Sequence, residues 1–136
     1  MIVPLGRALS AAEEPVLRAH DLSMWAYIVL TALAERPMRT QAALARAIGA
    51  DKTRIIGVLD DLQERGLIQR RPDPADRRMR VLSLTAAGQR AHRSTQAAIR
   101  AREERLLARL GAADRQGFLR ALQVLSALPL EEIVGG

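Results

Sequence analysis

Apolar residues recur at helical spacing in six stretches of the chain, and the breaks between them fall at glycines, prolines and capping residues. Leu5, Leu9, Val16 and Leu17 give a thin stripe over residues 5 to 19. Pro15 should break or kink that helix, because its ring removes a backbone donor and crowds the preceding turn. Ser23 is a good N-cap for a second helix, which carries Trp25, Ile28, Val29, Ala32 and Leu33 in phase and stops before Pro37. Thr40 caps a third, with Leu44, Ala45 and Ile48 on one face and Gly49 as its stop; Asp51 caps a fourth, with Ile55, Val58, Leu59 and Leu62 as its inner stripe and Gly66 at its end.

The period then changes. Leu67 to Arg71 reads as a short strand, the two prolines exclude regular structure from Pro72 to Asp76, and Met79 to Leu84 alternates again with Leu82 and Leu84 on one face. Thr85 caps a long helix to about Leu110, closed by Gly111, whose first half offers only Ala87, Ala91, Ala98 and Ile99 among arginines and glutamines. Asp114 opens a last helix through Leu128, stopped by Pro129. Its stripe of Phe118, Leu119, Leu122, Leu125 and Leu128 is larger than the thin first helix can cover, which predicts self-association as a two-fold dimer.

Helices three and four, joined by the tight turn Gly49-Ala50-Asp51, have the proportions of a helix-turn-helix, although an ordinary helical hairpin has the same spacing. The β-hairpin that follows at once decides for a winged helix. The expected fold is therefore mainly α with a small β-hairpin wing, a winged helix-turn-helix flanked by N- and C-terminal dimerisation helices. One domain is expected over 1–136, with a DNA-binding lobe at 20–86 and dimerisation helices at 1–19 and 87–136.

Composition narrows the chemistry. The chain has 136 residues, no cysteine and a formal charge of +6, and Lys52 is the only lysine, so the excess is arginine. Disulfides, thiol switches and zinc-thiolate sites are excluded. Arginine's planar fork of donors suits phosphate and guanine edges, so a polyanionic partner is favoured. The longest apolar run, beginning at Met24, is too short for a bilayer, and no signal-peptide pattern opens the chain, so a cytoplasmic protein with no membrane partner is expected. His20 and His92 lie far apart, and the pairs Glu13-Glu14, Glu103-Glu104 and Glu131-Glu132 are adjacent, so each pair diverges on a helix. No nucleophile-base arrangement results, and neither an enzyme nor a cofactor is expected.

The run DLQERGLIQRRPDPADRRMRVLSLTAAG, residues 61 to 88, carries three patterns in order. Leu62, Gly66, Leu67 and Arg70 fit Leu-x-x-x-Gly-Leu-x-x-Arg; Asp73, Asp76, Arg77 and Arg78 fit Asp-x-x-Asp-Arg-Arg; Leu82, Leu84, Thr85 and Gly88 fit Leu-x-Leu-Thr-x-x-Gly. In these the chain resembles the MarR family of bacterial transcriptional regulators, from about Asp21 to Leu128. The resemblance implies a homodimer on double-stranded DNA, with recognition helices in successive major grooves and wings in the flanking minor grooves. Arg77 or Arg78 would enter the minor groove, where a narrow groove concentrates negative potential. Asp73 and Asp76 would shape the wing, either by pairing with neighbouring arginines or as turn residues bonding nearby amides. Arg71 would contact phosphate or remain a solvated edge charge, as would Arg70 and Arg80.

On the fourth helix Lys52, Thr53 and Arg54 occupy the first turn, where free amides favour phosphate and side chains reach bases; Arg54 is the candidate guanine reader. Thr40 and Gln41 resemble the family's backbone-phosphate contacts. The chain departs from the family at Ile56 and Gly57, where a Thr-Arg pair is common, and Asp61 adds a negative charge one turn on. Ile56 can pack on a thymine methyl and Gly57 permits close approach. Many relatives release DNA when a small aromatic molecule enters a crevice beside the dimerisation helices. His20, Trp25 and Tyr27 are the candidates for such an effector site, against the plainer roles of core packing for Trp25 and surface exposure for His20, while His92 is expected to be solvated. Function is thus expected to be a homodimeric repressor of a pseudo-palindromic operator released by a small aromatic or lipophilic ligand. The alternative is an architectural or protein-interaction winged helix with weak or non-specific DNA binding and no effector.

Overall fold

The computed structural model describes residues 1–135, which divide into two compact units, one from Met1 to Ile99 and one from Arg100 onward. The first unit holds α1 (Ile2–Ala19), α2 (Met24–Glu35), α3 (Gln41–Ile48), α4 (Lys52–Glu64), β1 (Ile68–Pro72) and β2 (Arg80–Leu84). The division falls inside α5 (Ala86–Leu107), and the second unit continues with α6 (Ala112–Ser126) and α7 (Leu130–Val134).

Side chains fix the helix starts. Ser23 accepts from the Ala26 amide at 3.1 Å, Thr40 from Ala43 at 2.9 Å and Asp51 from Arg54 at 2.8 Å, so each of α2, α3 and α4 has one free N-terminal amide satisfied by its cap. Gly49 ends α3 with φ at 69°, a left-handed conformation in which its amide turns back to the carbonyl of Arg46. The strands pair antiparallel from Ile68 opposite Leu84 to Pro72 opposite Arg80. A third, one-residue rung joins them: Met38 exchanges two backbone hydrogen bonds with Leu82, at 2.9 and 2.7 Å, and so ties the segment between α2 and α3 to the wing.

The core of this unit is aliphatic. Leu17, Val29, Leu30, Leu44, Ile55, Leu59, Leu62, Ile68 and Leu82 are all essentially inaccessible, and each contributes about 1.5–3 kcal/mol on burial. They come from α1 to α4 and both strands, so the helix-turn-helix and the wing share one core.

Several boundaries differ from those expected. Pro15 does not break α1, which starts already at Ile2. The carbonyl that loses its partner belongs to Ala11, and both residues are exposed, so water can take over that bond. Pro72 is the last residue of β1 rather than part of the loop, a position at the end of an outer strand that a proline tolerates. The long helix stops at Leu107, with Arg109 and Leu110 in a tighter turn bonded to Leu106 and Leu107. Gly111 is the N-cap residue of α6 instead of the end of α5. Glu104 receives the forked guanidinium of Arg115, which joins the end of α5 to the start of α6. Beyond Pro129 the chain forms α7, whose first turn carries Glu131 and Glu132, where the helix dipole favours acids.

The larger correction concerns α5. His92 is buried, in a stripe with Gly88, Thr95 and Ile99. Its Nε2 lies 3.2 Å from the Thr31 hydroxyl and its ring stacks on Tyr27 at 5.6 Å, so α2 supplies what a solvated histidine would have taken from water.

Candidate nucleic-acid interface

Helix α4 begins with its cationic turn outward. Lys52, Thr53 and Arg54 are exposed on α4, Ile56 is 47% exposed, and the space where Gly57 would carry a β-carbon is open. Behind this turn the buried Ile55, Leu59 and Leu62 anchor the helix, so the outward residues are set by the helical period. Thr40 and Gln41 are half-buried at the start of α3, and the Thr40 hydroxyl oxygen accepts the capping bond, a role that does not use its O–H donor.

Two of the three acids further along α4, Asp60 and Asp61, pair with arginines. Asp60 receives Arg70 of β1 at 2.9 Å, and Asp61 receives Arg65 at 3.5 Å. Arg70 is therefore part of the joint between α4 and the wing. Arg65 also donates to the Asp21 carbonyl at 2.7 Å, where Asp21 makes the α1–α2 turn with φ at 56°.

The wing tip is held from inside. Asp73 is only 6% exposed; one carboxylate oxygen accepts the Ala75 amide at 2.9 Å, and the other accepts Nε and Nη2 of Arg39 at 3.1 and 2.6 Å. The Ala75 amide and the Arg39 side chain hold the Asp73 carboxyl below the usual carboxylate range. The Asp73 amide donates to the Met79 carbonyl, and the Met79 amide to that of Asp76, which closes the tip into a small loop. Asp76 accepts the Arg78 amide at 3.1 Å. Arg71, Arg77 and Arg78 are left exposed around this frame. Both aspartates thus bond nearby amides, and Asp73 also pairs with an arginine, one that lies outside the wing sequence. Arg39 immediately precedes Thr40, so this pair ties the tip loop of the wing to the segment just before α3.

A basic helix turn and a braced basic hairpin, sharing one core with a helix-turn-helix, are the parts of a winged-helix DNA binder. A model of the MarR family matches residues 20–79. The transcriptional regulator HosA of Escherichia coli O127:H6 is 31% identical over 103 residues, 76% of each chain. The chain belongs to the MarR family. A candidate regulator of the hcr operon in Thauera aromatica is 34% identical over 99 residues, covering 73% of this chain but only 60% of that protein's length. Among solved structures, the MarR family protein Rv2887 of Mycobacterium tuberculosis in complex with DNA has a TM-score of 0.79 and 26% identity, over 93% of this chain and 94% of that one. The same protein in complex with salicylic acid has a TM-score of 0.77 and 27% identity, over 91% and 92%.

In this MarR-family chain the three residues considered for an effector have separate partners. His20 Nδ1 lies 2.9 Å from the Val16 carbonyl, Trp25 is half-buried under the Arg54 guanidinium, and Tyr27 stacks on His92. A cleft of about 350 Å³ opens between the end of α2, β2 and α5, lined by Leu33, Arg36, Leu84, Gln89, His92 and Arg93 among others. Of the three, only Tyr27 is linked to it, through His92. The signal that could have located this region is the spacing of Gly88, His92, Thr95 and Ile99 on α5, a helical stripe hidden because two of its members are polar. Among the described residues no cluster of His, Asp and Glu could hold a metal ion, and no helix is long and apolar enough to cross a membrane.

Proposed function

We propose that the chain is a sequence-specific transcriptional regulator that binds double-stranded DNA as a homodimer and represses from a pseudo-palindromic operator in the cytoplasm. The lobe at 20–86 holds the DNA, and the segments 1–19 and 87–136 make the dimer. The observation that carries this reading is the wing: Asp73 is locked between Arg39 and the Ala75 amide, and Arg77 and Arg78 stand exposed on that fixed loop. An unstructured charge run would need no such brace. In this reading Lys52, Thr53 and Arg54 enter the major groove, with Arg54 on a guanine edge and Ile56 against a thymine methyl. Thr40, Gln41 and Arg71 meet backbone phosphates, and Arg77 and Arg78 enter the flanking minor groove. Asp73 and Asp76 hold the wing loop in shape.

The pairing of Asp60 and Asp61 with arginines also bears on the architectural alternative. Acids already neutralised on the recognition helix repel phosphate less than their number suggests. Release by a small aromatic acid fits the cleft between α2, β2 and α5, whose volume is that of a small-ligand site and whose lining includes Arg36, Arg93 and the His92 ring. That Rv2887 has been solved with both DNA and salicylic acid supports the same pair of ligands here. Tyr27 would back this site through His92, while His20 and Trp25 would stand outside it. The test is selection of genomic fragments by the purified protein, with and without aromatic acids. One enriched inverted repeat, lost on adding an acid, is expected; uniform recovery of all fragments would leave the architectural module.

A further inference from the structure

We propose that Trp25 is a positioning residue for base readout: its indole is the platform on which Arg54 is held for the DNA. This rests on the proposed DNA reading and adds to it a residue outside the recognition helix. The guanidinium carbon of Arg54 lies over the Trp25 ring, 5.7 Å from its centroid, within the range of a cation–π contact. Trp25 is the second residue of α2 and Arg54 the third of α4, so the contact crosses two elements whose starts are each fixed by a capping bond, from Ala26 to Ser23 and from Arg54 to Asp51.

The geometry suits readout. A cation–π contact takes up none of the guanidinium's N–H donors in hydrogen bonds to an acceptor, and those donors lie along the edge of the guanidinium plane. Guanine O6 and N7 take two of those edge donors, so Arg54 can bind a base without leaving the ring. An exposed arginine otherwise samples many rotamers, and each must be given up on binding. Trp25 reduces that loss in advance. It is half-buried, so the ring is itself held while Arg54 remains exposed.

The experiment is selection from a random DNA library by the full chain and by variants, scored base by base. Arg54→Ala identifies the position that Arg54 reads. Trp25→Leu should lower the preference at that position alone by about 3- to 5-fold, the size of an exposed cation–π contact, and should add nothing in the Arg54→Ala background. Trp25→Phe keeps a weaker ring and should fall between wild type and Leu. A Leu variant with its preference intact there, or with equal losses at every position, overturns the proposal. So does a Phe variant indistinguishable from wild type, which decides the matter even if the Leu variant does not fold. If the wild-type chain enriches no sequence, the DNA reading fails and this inference with it. Enrichment by wild type with no effect of Trp25 removes the inference alone.

Discussion

Gly88 makes the join between the wing and the long helix possible. A β-carbon there would collide with the carbonyl of Leu67, which already accepts the Thr85 amide at 3.1 Å. The Thr85 hydroxyl donates to the Gly66 carbonyl at 2.6 Å and accepts from the Gly88 amide at 3.0 Å, so one threonine closes the end of α4, the strand and the start of α5 together. Gly88→Ala should therefore destabilise the fold by about 1–3 kcal/mol, read as a lower urea midpoint. Gly57 is the opposite case. Nothing lies near its missing β-carbon, so Gly57→Ala should stabilise α4 by up to about 1 kcal/mol. If DNA approaches as closely as proposed, the same variant should bind DNA more weakly; a variant both more stable and equally tight would show that the backbone there is not approached. The sequence pattern placed Gly88 in its motif, but the clash that requires glycine became visible only with the Leu67 carbonyl in place.

At the scale of elements, the wing depends on a pair that separates Arg39 from Asp73 by 34 positions. The hairpin itself was legible from alternation and prolines, as were the caps of α2, α3 and α4, because those signals are local. The brace was not, since a lone arginine before Thr40 carries no mark of its partner, and the single rung at Met38 is too short to alternate. Asp73 is held below the ordinary value of 3.8 first by the Ala75 amide and then by Arg39. Its contribution is therefore complete above that value and disappears as pH falls through the lowered one. Asp73→Asn should be less stable than wild type near neutrality, and the difference, followed by denaturant melts, should begin to shrink below about pH 3.8. A constant gap down to strong acid would show that the carboxylate charge is not what secures the loop. Arg77→Ala with Arg78→Ala should leave that stability unchanged and weaken binding to every sequence sharing an A-tract flank, measured by fluorescence anisotropy.

For the whole molecule, α6 and α7 leave a broad apolar surface in the open. Leu122, Val124, Leu125, Ile133 and Val134 are between 43% and 74% exposed in the single chain. The stripe on α6 is legible in the sequence, whereas α7 and the polar stripe of α5 are not, because Pro129 signals only a stop and His92, among arginines, only a solvated side chain. Leu122→Asp with Leu125→Asp should leave a monomer at micromolar concentration by sedimentation, with the half-site arrangement lost.

Whether a dimer of this winged helix reads sequence is decided by its affinity for a selected inverted repeat against scrambled DNA across a salt series. Half-sites about 34 Å apart are expected, with a preference of about 1,000-fold or more that survives at physiological salt, while scrambled DNA shows only the charge-driven binding that salt removes. Equal affinities for the two DNAs at every salt concentration would contradict it.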